Sequence, residues 1–200
     1  EIGDLISACF YDGELENTGV QAPHWANSLL SSPVTWHSTD QLPNRFEQQA
    51  PNTTSYSNPC EVKEIETYLK RVDFLLRSQR VDSPISILIL APYQAQVAQL
   101  ARRVAHLQLT TESLKVEVNT VDAAQGREAD LLIFSATRSN TKSSIGFMGN
   151  LPRANVALSR GRYKLAIFGD LSFFDDLDSP IRQVISHIRS NSSSGCSIEP

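Results

Sequence analysis

No run in this sequence approaches the ~18 apolar residues of a membrane-spanning helix, and the first residues lack a secretory pattern. The expectation is an intracellular protein, nuclear or cytoplasmic, with no membrane partner. Cysteine is scarce. The chain of 200 residues holds three, Cys9, Cys60 and Cys196, too few and too scattered for a disulfide framework or a metal knuckle. Its four histidines show no ligand spacing, so no metal site is expected within the chain. Excess positive charge is missing too. A net charge of −4 excludes a polycation that coats nucleic acid, while a local basic face stays open because the position of charge decides binding. Two glycine signatures of nucleotide binding are also absent: no G-x-x-x-x-G-K-[ST] loop occurs, and no G-x-G-x-x-G follows the first strand. Nor does an apolar strand end in paired acids that could hold magnesium.

What remains is ordinary for a globular protein: 40% hydrophobic and 20% charged residues, with length for one domain and a sizeable core. The chain opens at Glu1 on a helical pattern and reads as a piece of something larger. "EIGDLISACFYDG" carries apolar positions at helical spacing. Residues 20–59 are rich in Pro, Asn, Ser, Thr and Gln; only "PVTWH" has the look of a strand, so this region is expected to be an irregular connection. "NPCEVKEIETYLKRVDFLLRSQ" is a helix with an apolar stripe. Then the rhythm changes. "PISILILAPY" is a continuous β-rich run, as expected of a strand buried on both faces. "QAQVAQLARRVAHL" is a helix, "VEVNTV" and "DLLIFSAT" are strands, "PRANVALSRGR" a short helix, "YKLAIFG" a strand and "SPIRQVISHIRS" a helix. Such alternation predicts an α/β domain over 1–189, a parallel sheet with helices on both faces. Residues 190–200, "SNSSSGCSIEP", read as a linker or tail.

In parallel sheets ligands sit beyond the carboxyl ends of the strands. Three polar stretches fall after strands: Pro92-Tyr93, residues 122–128, and residues 138–140. Within the second, Gln125-Gly126-Arg127-Glu128 interrupts two apolar segments. Gly126 lets a backbone approach an anion, although a plain tight turn explains the same residues equally well. Between Asn150 and Gly169 lie Arg153, Arg160, Arg162 and Lys164, with no acid. Arg153, Asn155 and Arg160 cannot all lie on one helical face with the apolar Val156, Ala157 and Leu158, so Arg160 is expected to emerge at the helix end. An arginine there suits phosphate oxygens, because its planar fork stays charged.

"LILAPYQAQVAQL", "VNTVDAAQGREADLLIFSATRSN" and "IGFMGNLPRANVALSRGRYKLAIFGD" resemble motifs IV, V and VI of Upf-like superfamily 1B helicases, in order and at the expected spacing. "LISACFYDGELEN" and "SYSNPCEVKEI" resemble the segments that come after motif III in those helicases. The resemblance implies a second RecA-like domain, a P-loop-NTPase fold without its own P-loop. It implies Tyr93 as an adenine-stacking ring, Gln125 and Gly126 near the γ-phosphate, and Glu128 at the ribose or phosphate. Arg160 would be the arginine finger, with Arg153 and Arg162 in support, and Thr120, Arg138 and Asn140 would touch the backbone of single-stranded RNA or DNA. ATP with Mg2+ would be held mainly by a first RecA-like domain of the same parent chain, so this segment alone would be inactive. One departure stands out: many relatives carry an arginine just after the motif IV tyrosine or one helical turn later, where this chain has Gln94 and Val97. A degenerate, non-hydrolysing domain that serves as a nucleic-acid- or protein-binding scaffold is the alternative.

Overall fold

The computed structural model describes residues 1–16, 19, 21–29, 32–77, 79, 81, 83–109 and 114–200. Val20, Leu30 and Ser31 of the expected connection, and Ser78 of the expected helix, lie outside the described residues. The strands are β1 (Val34–Ser38), β2 (Gln48–Gln49), β3 (Tyr56–Ser57), β4 (Ile85–Ala91), β5 (Leu114–Thr120), β6 (Ala129–Ser135), β7 (Gly161–Gly169) and β8 (Cys196–Glu199). The α-helices are α1 (Ile2–Phe10), α2 (His24–Leu29), α3 (Pro59–Leu76), α4 (Gln94–His106), α5 (Leu151–Leu158), α6 (Leu171–Asp175) and α7 (Pro180–Ser190). None of the described helices is long and apolar enough to cross a membrane.

Alternation of side chains along β4 explains the layering. Ile85, Ile87 and Ile89 face α3 and α4, whereas Leu88 and Leu90 face α1, α5 and α7. Period-2 geometry sends successive Cβ atoms to opposite faces, and here both faces are covered. Six strands join in the order β5-β4-β6-β7-β1-β8, every pairing parallel. The parallel sheet with helices on both faces is therefore present, as the RecA-like reading required.

Local chemistry sets the helix ends. Asn58 caps α3 by accepting from the backbone N–H of Cys60 and Glu61, with Pro59 in the first turn. Asn150 does the same for α5 at Arg153 N, and Ser179 for α7 at Arg182 N.

One expected strand proves central to the sheet, and one expectation needs correction. The connection at 20–59 contains a core strand: β1 lies between β7 and β8, and its Trp36 is fully buried with the indole N–H donating to Gly169 O at 3.1 Å. The tail is also part of the sheet, because β8 pairs with β1 and buries Cys196. β1 is the short strand expected at "PVTWH", whereas the four residues of β8 are too short to announce themselves by periodicity amid polar neighbours.

Chain direction creates two places where neighbouring strands depart to opposite faces. β4 leaves through α4, whereas its neighbour β6 leaves through α5. β1 leaves through α3, whereas its neighbour β7 leaves through α6 and α7. Such switch points open crevices at the carboxyl edge.

Candidate nucleotide and nucleic-acid site

Residues 121–128 do not stay at the carboxyl edge, as the sequence suggested. Thr120 is level with Ala91 at that edge, while Ile87 is level with Leu131, close to the start of β6. The segment must therefore run back down the sheet by about the length of a seven-residue strand, roughly 20 Å. Val121 and Ala124 are buried on the α1/α5/α7 face and hold it there. α5 descends the same face, since its start at Asn150 is bonded to Phe147 beside Tyr93 and its end at Arg160 accepts from Ala129 N at 2.9 Å. The result is a strip with residues 122–128 along one side and residues 153–162 along the other.

At the upper end, Thr120 Oγ1 accepts from Ala123 N at 3.3 Å and closes a short 3-10 turn, Asp122–Ala124. Arg153 stands 3.8 Å from Asp122 and 4.5 Å over the Phe147 ring. Gln125 and Gly126 are exposed. Gly126 has φ +78° with no atom within 4 Å of an added Cβ, so glycine is required there by conformation and not by crowding. Lower down, Arg127 pairs with Glu117, and Arg162 lies 3.3 Å from Glu128 and 3.7 Å from Asp130.

Arg160 differs from these arginines. It is half-buried where α5 meets β7; its Nε donates to Val156 O at 3.1 Å and its Nη2 to Ser159 Oγ at 2.7 Å. Among the described residues no carboxylate comes within ion-pair distance of it. Its guanidinium is thus positioned by neutral oxygens.

Tyr93 is not brought to Glu128 or Arg160. It remains at the carboxyl edge, at the β4/β6 switch point. Its hydroxyl accepts from Arg138 Nη1 at 2.9 Å and from Phe147 N at 3.3 Å, and its ring meets Tyr56 edge-on. Arg138 and Asn140, expected on a nucleic-acid backbone, are instead committed to Glu47. Arg138 Nε and Nη2 reach the two Glu47 oxygens at 3.0 and 2.9 Å, Ser139 N donates at 2.7 Å and Asn140 Nδ2 at 3.1 Å. The Arg138 and Glu47 side chains are only 5% and 7% exposed. An in-chain carboxylate fills the place anticipated for a phosphate, because a buried arginine needs an anion at all times. The Gln94 and Val97 positions are also explained: Gln94 is exposed and Val97 packs half-buried against the α3/α4 core.

Beneath Arg138 lies Glu61, fully buried. It accepts from Ser135 Oγ and, at 2.9 Å, from Thr137 N. Burial pushes its carboxyl up to about 8, against the opposing effect of those hydrogen bonds. Gln96 ties the group together, accepting from Asn58 N at 2.7 Å and donating to Ser135 Oγ at 2.8 Å. Thr137 sits at φ +68°, in the left-handed region that non-glycine residues rarely adopt.

A family described as an AAA domain matches residues 1–172. The chain belongs to this family. Within the curated proteins, the "Regulator of nonsense transcripts 1 homolog" of Arabidopsis thaliana is 33% identical over 180 residues, covering 84% of this chain and 13% of that protein. "Helicase SEN1" of Saccharomyces cerevisiae is 30% identical over 145 residues, covering 67% of this chain and 6% of its own length. The chain thus spans a small fraction of these relatives. Among solved structures, the C-terminal domain of a possible DNA helicase from Lactobacillus plantarum aligns with a TM-score of 0.44 and 12% identity, over 84% of this chain and 83% of its own. The resemblance to Upf-like helicases is borne out by the named relatives.

Within this AAA-domain frame, the residues that sequence reasoning missed are Glu47, Asn58, Glu61 and Gln96. One signal was available: Asn58 followed three residues later by Glu61 has the spacing of a helix-capping box. Glu47 offered none, since it lies in a polar stretch far from its partners.

Proposed function

We propose that this chain is the second RecA-like half of an ATP-dependent helicase acting on RNA or DNA. Arg160 carries the reading: a fixed guanidinium with no acid partner among the described residues, beside the exposed Gln125–Glu128 segment, is the form an arginine finger takes. A nucleoside triphosphate would lie lengthwise on the strip, with its base toward Tyr93 and Gln125 and Gly126 near the γ-phosphate; of the ribose and phosphate roles open to Glu128, its place lower on the strip favours the phosphate. Arg153 and Arg162, each beside an acid, would support the same anion. Among the described residues no three or more His, Cys, Asp or Glu side chains converge, and hydrolysis of this kind also uses Mg2+. That ion and the phosphate cradle belong, in this reading, to a first RecA-like domain of the parent protein. The single strand would cross the carboxyl edge, where the Thr120 hydroxyl proton is still available to a phosphate. Arg138 and Asn140 would shape that edge through Glu47.

The test uses the longer protein that carries this segment. Arg160→Ala should lower ATP turnover by ~10³ or more while nucleotide binding stays within a few-fold, since a finger acts on transition-state charge. Turnover at the wild-type rate removes Arg160 from the site. Equal, unmeasurable turnover in both proteins, with strand binding intact, favours a scaffold.

A further inference from the structure

At the β4/β6 switch point the Tyr93 side chain is held at both ends. Its backbone immediately precedes α4 in an extended conformation, φ −123° and ψ 135°. Its hydroxyl accepts from Arg138 Nη1 at 2.9 Å and from Phe147 N at 3.3 Å. The Arg138 guanidinium lies 4.3 Å over the Tyr56 ring and 5.7 Å over that of Tyr93. Tyr56 meets Tyr93 at 78° with centroids 5.4 Å apart, and Phe147 is tilted at 59°, 6.4 Å away. Little room is left for another arrangement, since a Cβ at Gly146 would collide with both Arg138 Nη1 and the Tyr93 hydroxyl. The ring is only half-buried, however, and keeps some surface for a ligand. A ring free to turn about its torsions must be ordered when a base stacks on it. This one is ordered beforehand.

The group that orders it is remote in sequence. Arg138 braces Tyr93 only while its own plane is fixed, and Glu47 fixes it: Nε donates to Oε2 at 3.0 Å and Nη2 to Oε1 at 2.9 Å. The same carboxylate accepts from Ser139 N at 2.7 Å and from Asn140 Nδ2 at 3.1 Å. All of these partners are donors, and the two-point grip on the guanidinium fork sets its direction as well as its place. We infer that Glu47 is a positioning residue for the nucleotide: through Arg138 it sets the orientation of the Tyr93 ring, and so the affinity for the base, without touching the nucleotide. This rests on the reading of Tyr93 as the base-stacking ring. Arg160 and Glu128 lie about a strand's length from Tyr93, roughly 20 Å, so loosening the Glu47 grip is felt by the base and not by the phosphates.

The test uses the longer protein that carries this segment and two probes: a non-hydrolysable ATP analogue, and inorganic tripolyphosphate, which has no base or sugar. Glu47→Gln keeps the shape but turns amide hydrogens toward groups that are themselves donors, which opens the grip. Tyr93→Phe removes only the hydroxyl and leaves the Glu47–Arg138 pair in place, so it reports on the same connection even where Glu47→Gln does not fold. Each change should weaken the analogue about two- to tenfold, the size of one side chain's ordering cost, and leave tripolyphosphate unchanged. Together they should weaken it no more than the stronger single change, because both cut one connection. Unchanged analogue binding in Tyr93→Phe, equal weakening of both probes, or additive losses in the double variant overturns the inference. Tyr93→Ala separates it from the reading beneath. Loss of analogue binding in that variant alone leaves Tyr93 as the base ring and removes Glu47 from the role. No loss in Tyr93→Ala ends the base reading, and the inference with it.

Discussion

The β4/β6 switch point and the strip between residues 122–128 and 153–162 are both polar and both come from the motif-bearing stretches, yet they are built differently. At the switch point charge is buried and answered inside the chain: Glu47 by Arg138, Ser139 and Asn140, and Glu61 by Ser135 and Thr137. Along the strip the Arg162–Glu128 pair is more than half exposed, at 52% and 57%, and among the described residues no acid pairs with Arg160. Buried charges must be satisfied for the chain to fold, whereas exposed ones can wait for a ligand. The first region is completed by folding, and the second is left open.

Substitutions in the two regions should therefore differ widely in cost. Glu47→Ala should lower unfolding free energy by about 3–5 kcal/mol, because Arg138 is left charged and buried. Glu128→Ala should change it by less than about 1 kcal/mol, as for exposed pairs. Urea denaturation of both variants measures the gap, and equal losses would mean that the two regions are built alike.

Two glycines repeat the contrast at smaller scale. Gly146 and Gly126 both have positive φ, at +59° and +78°. Gly126→Ala should cost only the conformational penalty, about 1–2 kcal/mol. Gly146→Ala should cost distinctly more, since its Cβ would collide with the Arg138 guanidinium and the Tyr93 hydroxyl. Thermal melts that place the two variants together would show the switch point to be looser than described.

Acidity gives a third, more graded effect. The Glu61 carboxyl is raised from 4.5 to about 8 by burial, so between these values the folded chain holds a proton that the unfolded chain releases. Its contribution is complete below pH 4.5 and is lost as pH rises through 8. His37 works the other way, lowered from 6.5 to about 4; its contribution is present above pH 6.5 and is lost as pH falls toward 4. In melts across pH 6.5–8, Glu61→Gln should remove a decline seen in the wild type. An unchanged decline would mean that Glu61 ionises freely in the fold.

The smallest effect concerns nucleic acid. With Arg138 held by Glu47, few cations remain to neutralise phosphates, and affinity scales with that number. Single strands should bind the isolated chain in the micromolar range or more weakly, with a shallow salt dependence. A steep slope would mean that the buried pair opens to the strand.

Local composition was enough for the elements with strong periodicity. β4, β6 and β7 are long aliphatic runs, and α3 and α7 carry apolar stripes behind a capping Asn58 and Ser179, so sequence spacing located them. The motif residues on the strip were also legible, since an uninterrupted basic run and a Gln-Gly-Arg-Glu break stand out against an acidic chain. The place of β1 between β7 and β8, and the existence of β8 at the sheet edge, were decided by tertiary structure, because so short a segment carries no record of its neighbours until they supply the hydrogen bonds. So was the pairing of Glu47 with Arg138, which brings together residues 91 positions apart. Separation of Tyr93 from Arg160 by about a strand's length was decided there as well. It results from the parallel register of β5, β4 and β6, which forces residues 121–128 down the sheet face. Patterning is a property of neighbours along the chain and can be read there. Register and charge burial depend on which distant segments meet, and only the folded packing determines that.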